Sequence, residues 1–295
     1  MLSKSKAKIY DDNLCQIGEG PIWHPIRKSL IWFDILGGSI FERKPHQEIA
    51  KRTDFDFLVS AGGCINETDI LMATSESLVR LNLDNGKHTK IIDLEAENSV
   101  TRSNDGRADP QGGFWIGTMG KKMEKEAGAI YRFYKGELRK LFSSITVPNS
   151  ICFSPCGKIV YFTDTFSRKI MRVSLDKLGW PSKEPEIFID CEEEEVNPDG
   201  SVVDIDGCLW NAQWGASRIV KFNPAGELTK IIELDAPQVT CPAFGDLDFS
   251  TLFITSAWNG MSAQEIKESP KSGAVFSIKV EETGQEENIV LFDKI

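Results

Sequence analysis

Six times along this chain a short apolar and aromatic burst ends on a small or hydroxyl residue, and a second strand-like burst follows within a few residues. The first bursts occupy residues 29–34, 69–74, 113–118, 159–164, 208–212 and 251–255. Their partners occupy 39–42, 78–81, 129–133, 170–173, 218–222 and 274–278. A unit of about 43 residues that is strand-like throughout is the pattern of a β-propeller, one four-stranded blade per copy. A lone copy cannot bury its faces, so the copies stack, and a propeller gathers their equivalent residues round one axis. The expectation is an all-β fold, a six-bladed β-propeller with four antiparallel strands per blade, forming one domain over residues 1–295.

Turn-rich openers separate one copy from the next: residues 18–21, 60–63, 103–106, 147–150, 197–200 and 240–243. Each precedes a short apolar strand, a polar turn and then the strong burst, so the order is inner strand, core strand, third strand. Alternating segments such as 90–94 and 230–234 supply an outer strand with one exposed face. Closing the ring takes one more outer strand, and both 7–10 at the N-terminus and 288–292 at the C-terminus qualify. Residues 176–186, with Pro181 and Pro185, read as an insertion between outer strands, and helix should be slight.

Composition excludes several function classes. The net charge of −10 repels phosphate backbones and anionic lipid, and no Lys/Arg-rich run offsets it. The acidic run 192–195 reads as a solvated loop. No apolar stretch is long enough to span a bilayer, and the basic N-terminal stretch has no apolar region behind it. Seven cysteines without C-x-x-C spacing suit reduced, strand-buried thiols. The expected location is the cytoplasm.

Four openers carry an oxygen-bearing side chain at the same repeat position: Glu19, Asn104, Asn149 and Asp199. The other two offer Ala61 and Cys241-Pro242. Two carboxylates and two amides converging on an axis suit a hard divalent cation, Ca²⁺, Mg²⁺ or Mn²⁺, and carboxylates bind Zn²⁺ as well. Each residue alone is ordinary turn chemistry, but turns do not require a Glu in shared register. Arg102, two residues before Asn104, can reach the same mouth and donate a forked pair of hydrogen bonds. Only three histidines exist; His24 reads as a turn or surface residue, and a histidine triad or zinc site is poorly supplied. Trp32, Trp115 and Trp210 read as blade packing, and Trp214 and Trp258 as rim positions able to face a sugar.

At these residues the sequence resembles the SMP-30/gluconolactonase/LRE family, also called the regucalcin family. The matching pieces are Gly18-Glu19-Gly20-Pro21-Ile22-Trp23, residues 102–110, Gly117-Thr118-Met119, residues 148–154, residues 161–165 and Pro198-Asp199-Gly200, in family order over nearly the whole chain. The resemblance implies one divalent cation, Ca²⁺ foremost, held by Glu19, Asn149 and Asp199. It implies that Arg102 and Asn104 contact the substrate and that the reaction hydrolyses a sugar lactone, such as gluconolactone, galactonolactone or arabinolactone. After Gly117-Thr118-Met119, where animal relatives carry a substrate-contacting acidic residue, this chain has Lys121, a cation that shifts the preferred sugar.

The residues agree with hydrolysis. A divalent cation polarises the lactone carbonyl and lowers the pKa of water, Asp199 is the candidate general base, and Arg102 and Asn104 orient the sugar. The partner is then a small sugar lactone, with the protein a monomer or weak homodimer. Two alternatives stand beside this one: an organophosphate hydrolase on the same scaffold, and a calcium-binding propeller without turnover.

Overall fold

The computed structural model describes residues 3–292, so Met1 and Leu2 of the basic N-terminal stretch lie outside it. Four sheets have four strands each, and a fifth sheet has nine. Each four-stranded sheet is an antiparallel meander in chain order, as in Gly18–His24, Ser29–Asp34, Ser39–Arg43 and Lys51–Asp54. The nine-stranded sheet holds two such meanders, begun by Asn197–Val203 and Gln238–Gly245, and one residue pair, Trp214 with Gln238, joins them. Each inner strand packs against the next and Gln238–Gly245 packs against Gly18–His24, which closes the ring of a propeller.

The packing follows from where each strand lies. Strands Gly18–His24 and Ser29–Asp34 are buried at every position, and the apolar run Leu30–Phe33 in the second is what a strand covered on both faces requires. The outer strand Lys51–Asp54 is largely exposed and is polar. Core clusters bridge neighbouring sheets: Phe33 packs with Ile70 and Met72, and Trp115 with Phe153 and Phe162. Trp32, Trp115 and Trp210 are fully buried packing residues, each worth about 2–3 kcal/mol of burial.

The termini divide two tasks that the sequence left open. Lys8–Asp11 pairs with Val275–Lys279, so the N-terminal segment supplies the closing outer strand. Ser3–Lys6 then runs on, parallel to Leu228–Glu233. The C-terminal segment crosses the floor of the ring instead. Gln285 Nε2 donates to the carbonyls of Phe153 and Val203, Asn288 Nδ2 to that of Ala108, and the Val290 and Leu291 amides to those of Cys64 and Gly112.

Several expectations need correction. The openers are not turns: they lie within the inner strands, and all six inner strands shift register there, as between Glu19 and Ile22 or Pro198 and Ser201. Gly, Asn and Pro signal a β-bulge within a strand as readily as a turn between strands. His24 is neither a turn nor a surface residue but is fully buried at the end of its strand, with Nε2 2.9 Å from the Asn66 carbonyl. The 176–186 insertion joins the third and outer strands of one sheet, Lys169–Ser174 and Glu186–Asp190. A short helix, Ala263–Glu268, forms where none was placed; Ser262 and Glu265 cap it reciprocally, a signature visible in the sequence. Six cysteines are buried and Cys156 is exposed, all of them free.

Candidate active site

The bulges set the site. A bulge leaves a residue unpaired and bends the strand, so a side chain that would lie in the ladder is re-aimed. At Glu19 the following Gly20 has φ +53°, and a Cβ there would sit 2.8 Å from the Ser60 carbonyl oxygen, so only glycine fits. After Asn149 the same left-handed turn falls on Ser150, at φ +60°.

Glu19, Arg102, Asn104, Asn149 and Asp199, from four different inner strands, all line one cavity of about 700 Å³, and Lys121 stands at its rim. The first five are more than nine-tenths buried and Lys121 is exposed. Ala61 and Cys241, the other two opener residues, are buried and outside the lining. Trp214 is on the cavity wall, whereas Trp258 packs beside Gly273 and is not among the lining residues.

A hydrogen-bond chain fixes the polar members. Arg102 Nη1 donates to the Ser103 carbonyl at 2.7 Å and to Asn104 Oδ1 at 2.9 Å. Asn104 Nδ2 donates to Asn149 Oδ1 at 2.8 Å and to the Pro148 carbonyl at 2.9 Å. Asn149 Nδ2 donates to Thr165 Oγ1, whose hydroxyl donates to the Pro198 carbonyl beside Asp199. The amide of Asn149 is thereby oriented, with its oxygen keeping a free lone pair.

The carboxylates are less well satisfied. Glu19 and Asp199 line the same cavity, and each acts on the other's titration. Burial raises the pKa of both, and the charge of Asp105 raises both further. The Gly20 amide, which donates to Glu19 Oε2 at 2.8 Å, and the Arg102 charge only partly oppose this for Glu19. Burial lowers Arg102 to about 10, against the pull of Glu19. No described residue forms a salt bridge with Glu19 or Asp199, so the two buried carboxyls lack a close basic partner and are held toward their neutral forms. Among the described residues no three His, Cys, Asp or Glu side chains cluster as a metal site. A cation here needs the Asn149 amide as well as the two carboxylates.

Two residues escaped the sequence reading. Asp105, read as half of a turn pair, is buried, accepts from the Ile151 amide at 2.7 Å across two sheets, and is pushed up by burial to about 6. Thr165 sits beyond a core strand, and its bridging role has no periodic signature.

The chain was then set beside known proteins. The sequence profile of the SMP-30/Gluconolactonase/LRE-like region matches residues 17–258. A Rhizobium meliloti protein named for sugar lactone lactonase activity is 38% identical over 273 residues, covering 92% of this chain and 92% of its own length. A pentonolactonase of Haloferax volcanii is 31% identical over 289 residues, 94% of this chain and 95% of its own. A solved regucalcin of Agrobacterium tumefaciens, described as a calcium-binding protein, superposes with a TM-score of 0.96 at 35% identity, covering 99% of this chain and all of that one.

Proposed function

Because the chain belongs to the SMP-30/gluconolactonase/LRE-like family, we propose that it is a lactonase that opens a sugar lactone to the aldonic acid with the help of one bound divalent cation. The reading includes one domain over residues 1–295 and six blades, the nine-stranded sheet counting as two. It places the protein in the cytoplasm, in keeping with seven unbridged thiols and with no described helix long and apolar enough to cross a membrane.

The observation that carries the proposal is that two buried carboxylates, Glu19 and Asp199, line one cavity beside the Asn149 amide without a salt-bridge partner among the described residues. Two such groups cannot both ionise cheaply unless a cation joins them. The donors present fit one: two carboxylates and the Asn149 carbonyl oxygen form an all-oxygen set, suited to Ca²⁺, Mg²⁺ or Mn²⁺ and acceptable to Zn²⁺. Once bound, the ion supplies Lewis acidity toward the lactone carbonyl and raises the acidity of water.

The chain's own residues account for the rest. Arg102, with Nη1 fixed on Asn104 and its remaining N–H groups unengaged, presents donors to the substrate's oxygens, and Asn104, whose two amide hydrogens are spent on Pro148 and Asn149, offers the second lone pair of its Oδ1 to a substrate hydroxyl; together they hold the ring in one orientation. Asp199 takes a proton from the attacking water as the new C–O bond forms, and returns it to the ring oxygen as the ester C–O bond breaks. Glu19, tied to the Gly20 amide, would stay in place as a fixed ligand, negatively charged with a cation bound.

The test is direct. Purified protein with divalent ions should acidify weakly buffered gluconolactone, galactonolactone or arabinolactone well above the spontaneous rate. Rates equal to the spontaneous ones for all three and for their charged analogues would remove the proposal.

A further inference from the structure

We infer that the lactone bears an anionic group on the carbon farthest from its ring carbonyl, gripped at the rim of the cavity by Lys121 and Arg168, an inference that rests on the lactonase reading above. Both cations line the same cavity as Glu19 and Asp199. Each is held in place. The Lys121 amide donates to the Val100 carbonyl and its Nζ to that of Ser99, at 2.8 and 2.9 Å. The Arg168 amide donates to the Thr165 carbonyl, its own carbonyl accepts from the Cys191 amide, and its Nε donates to Asn197 Oδ1 at 3.3 Å.

Neither cation has a carboxylate partner among the described residues. The one rim carboxylate, Glu192, stands 3.1 Å from Lys169 instead. The cavity is therefore polarised, with acidic groups in its depth and unpaired cations at its mouth. A neutral sugar would satisfy the depth and leave the mouth unanswered. An anionic tail answers both, and a guanidinium with an ammonium is a donor pair suited to phosphate, sulfonate or carboxylate. The chain as a whole carries a charge of −10 and repels anions, so a local cationic mouth is what would capture one. A cavity of about 700 Å³ holds a hexose-sized lactone with such a substituent.

The experiment compares gluconolactone with its 6-phosphate, 6-sulfonate and 6-carboxylate counterparts, on the wild-type protein and on Lys121→Gln and Arg168→Gln. It adds calorimetric binding of glucitol 6-phosphate against glucitol, which needs no turnover. At least one charged lactone should exceed gluconolactone by about tenfold in kcat/KM, chiefly through KM, and each substitution should shrink that ratio by about tenfold. The preference should fall at about 0.5 M NaCl, and glucitol 6-phosphate should bind about tenfold more tightly than glucitol. Gluconolactone turned over as well as every charged analogue, or a ratio unmoved by both substitutions, overturns the anion site and leaves the lactonase reading standing. No turnover of any of the four overturns both.

Discussion

Arg102 and Arg107 belong to one inner strand, Thr101–Ala108, yet they meet opposite surroundings at the two ends of the central channel. Arg102 faces the open mouth, bonds only a carbonyl and an amide oxygen, and is held down to about 10 by burial. Arg107 faces the floor, 2.7 Å from Glu287 of the C-terminal segment; burial works most strongly against its charge, but Glu287 together with Cys241, Asp105 and Cys152 outweighs it and the pKa is raised. The spaces differ as much as the charges: about 700 Å³ around Arg102 and about 20 Å³ around Arg107. One ring of strands thus ends in a closed, charge-matched floor that ties the sheets together and an open mouth whose charges are left unmatched. Unmatched buried charge is costly to fold, and it is the condition that makes a site receptive to an ion and a polar substrate.

Three substitutions probe that contrast. The largest effect belongs to the mouth: Asp199→Asn should lower kcat for lactone hydrolysis by about 10³-fold or more, through loss of the base and of an ion ligand. In ion-free protein the same change should not lower the melting temperature, because it removes one of two facing carboxylates; calorimetry reads this. At the floor the pattern reverses. Glu287→Gln strands the Arg107 charge and should cost about 3 kcal/mol in urea unfolding, with kcat per folded molecule unchanged. A smaller effect is expected from Arg102→Lys, which keeps the charge and loses the fork: kcat/KM should drop by about tenfold, with stability unaltered. If Glu287→Gln abolished turnover in folded protein, or Asp199→Asn unfolded it, the division between the two ends would fail.

The blade pattern was legible because strands buried on both faces, such as 29–34 and 69–74, must be apolar throughout, and that signal recurs at a fixed interval. The shared register of Glu19, Asn104, Asn149 and Asp199 was legible for the same reason, since repetition converts position in sequence into position round an axis. What the repeat could not convey was anything that occurs once. The N-terminal closure and the C-terminal floor compete for the same edge, and only long-range pairing decides between them. The bulges look like turns because both draw on the same residues. His24 looked exposed because its satisfying partner, the Asn66 carbonyl, lies 42 residues away. Arg168 takes the left-handed loop position that Gly38 and Ser217 fill in other copies, so the repeat carries no sign of its charge.

The central claim is that Glu19, Asn149 and Asp199 together hold one divalent ion on which lactone opening depends. Protein stripped with a chelator and titrated with Ca²⁺, Mn²⁺ or Zn²⁺ should recover lactone hydrolysis in step with binding, saturating at one ion per chain, and Glu19→Gln should need far more ion to reach saturation. Hydrolysis that proceeds at the same rate with and without the ion would contradict it.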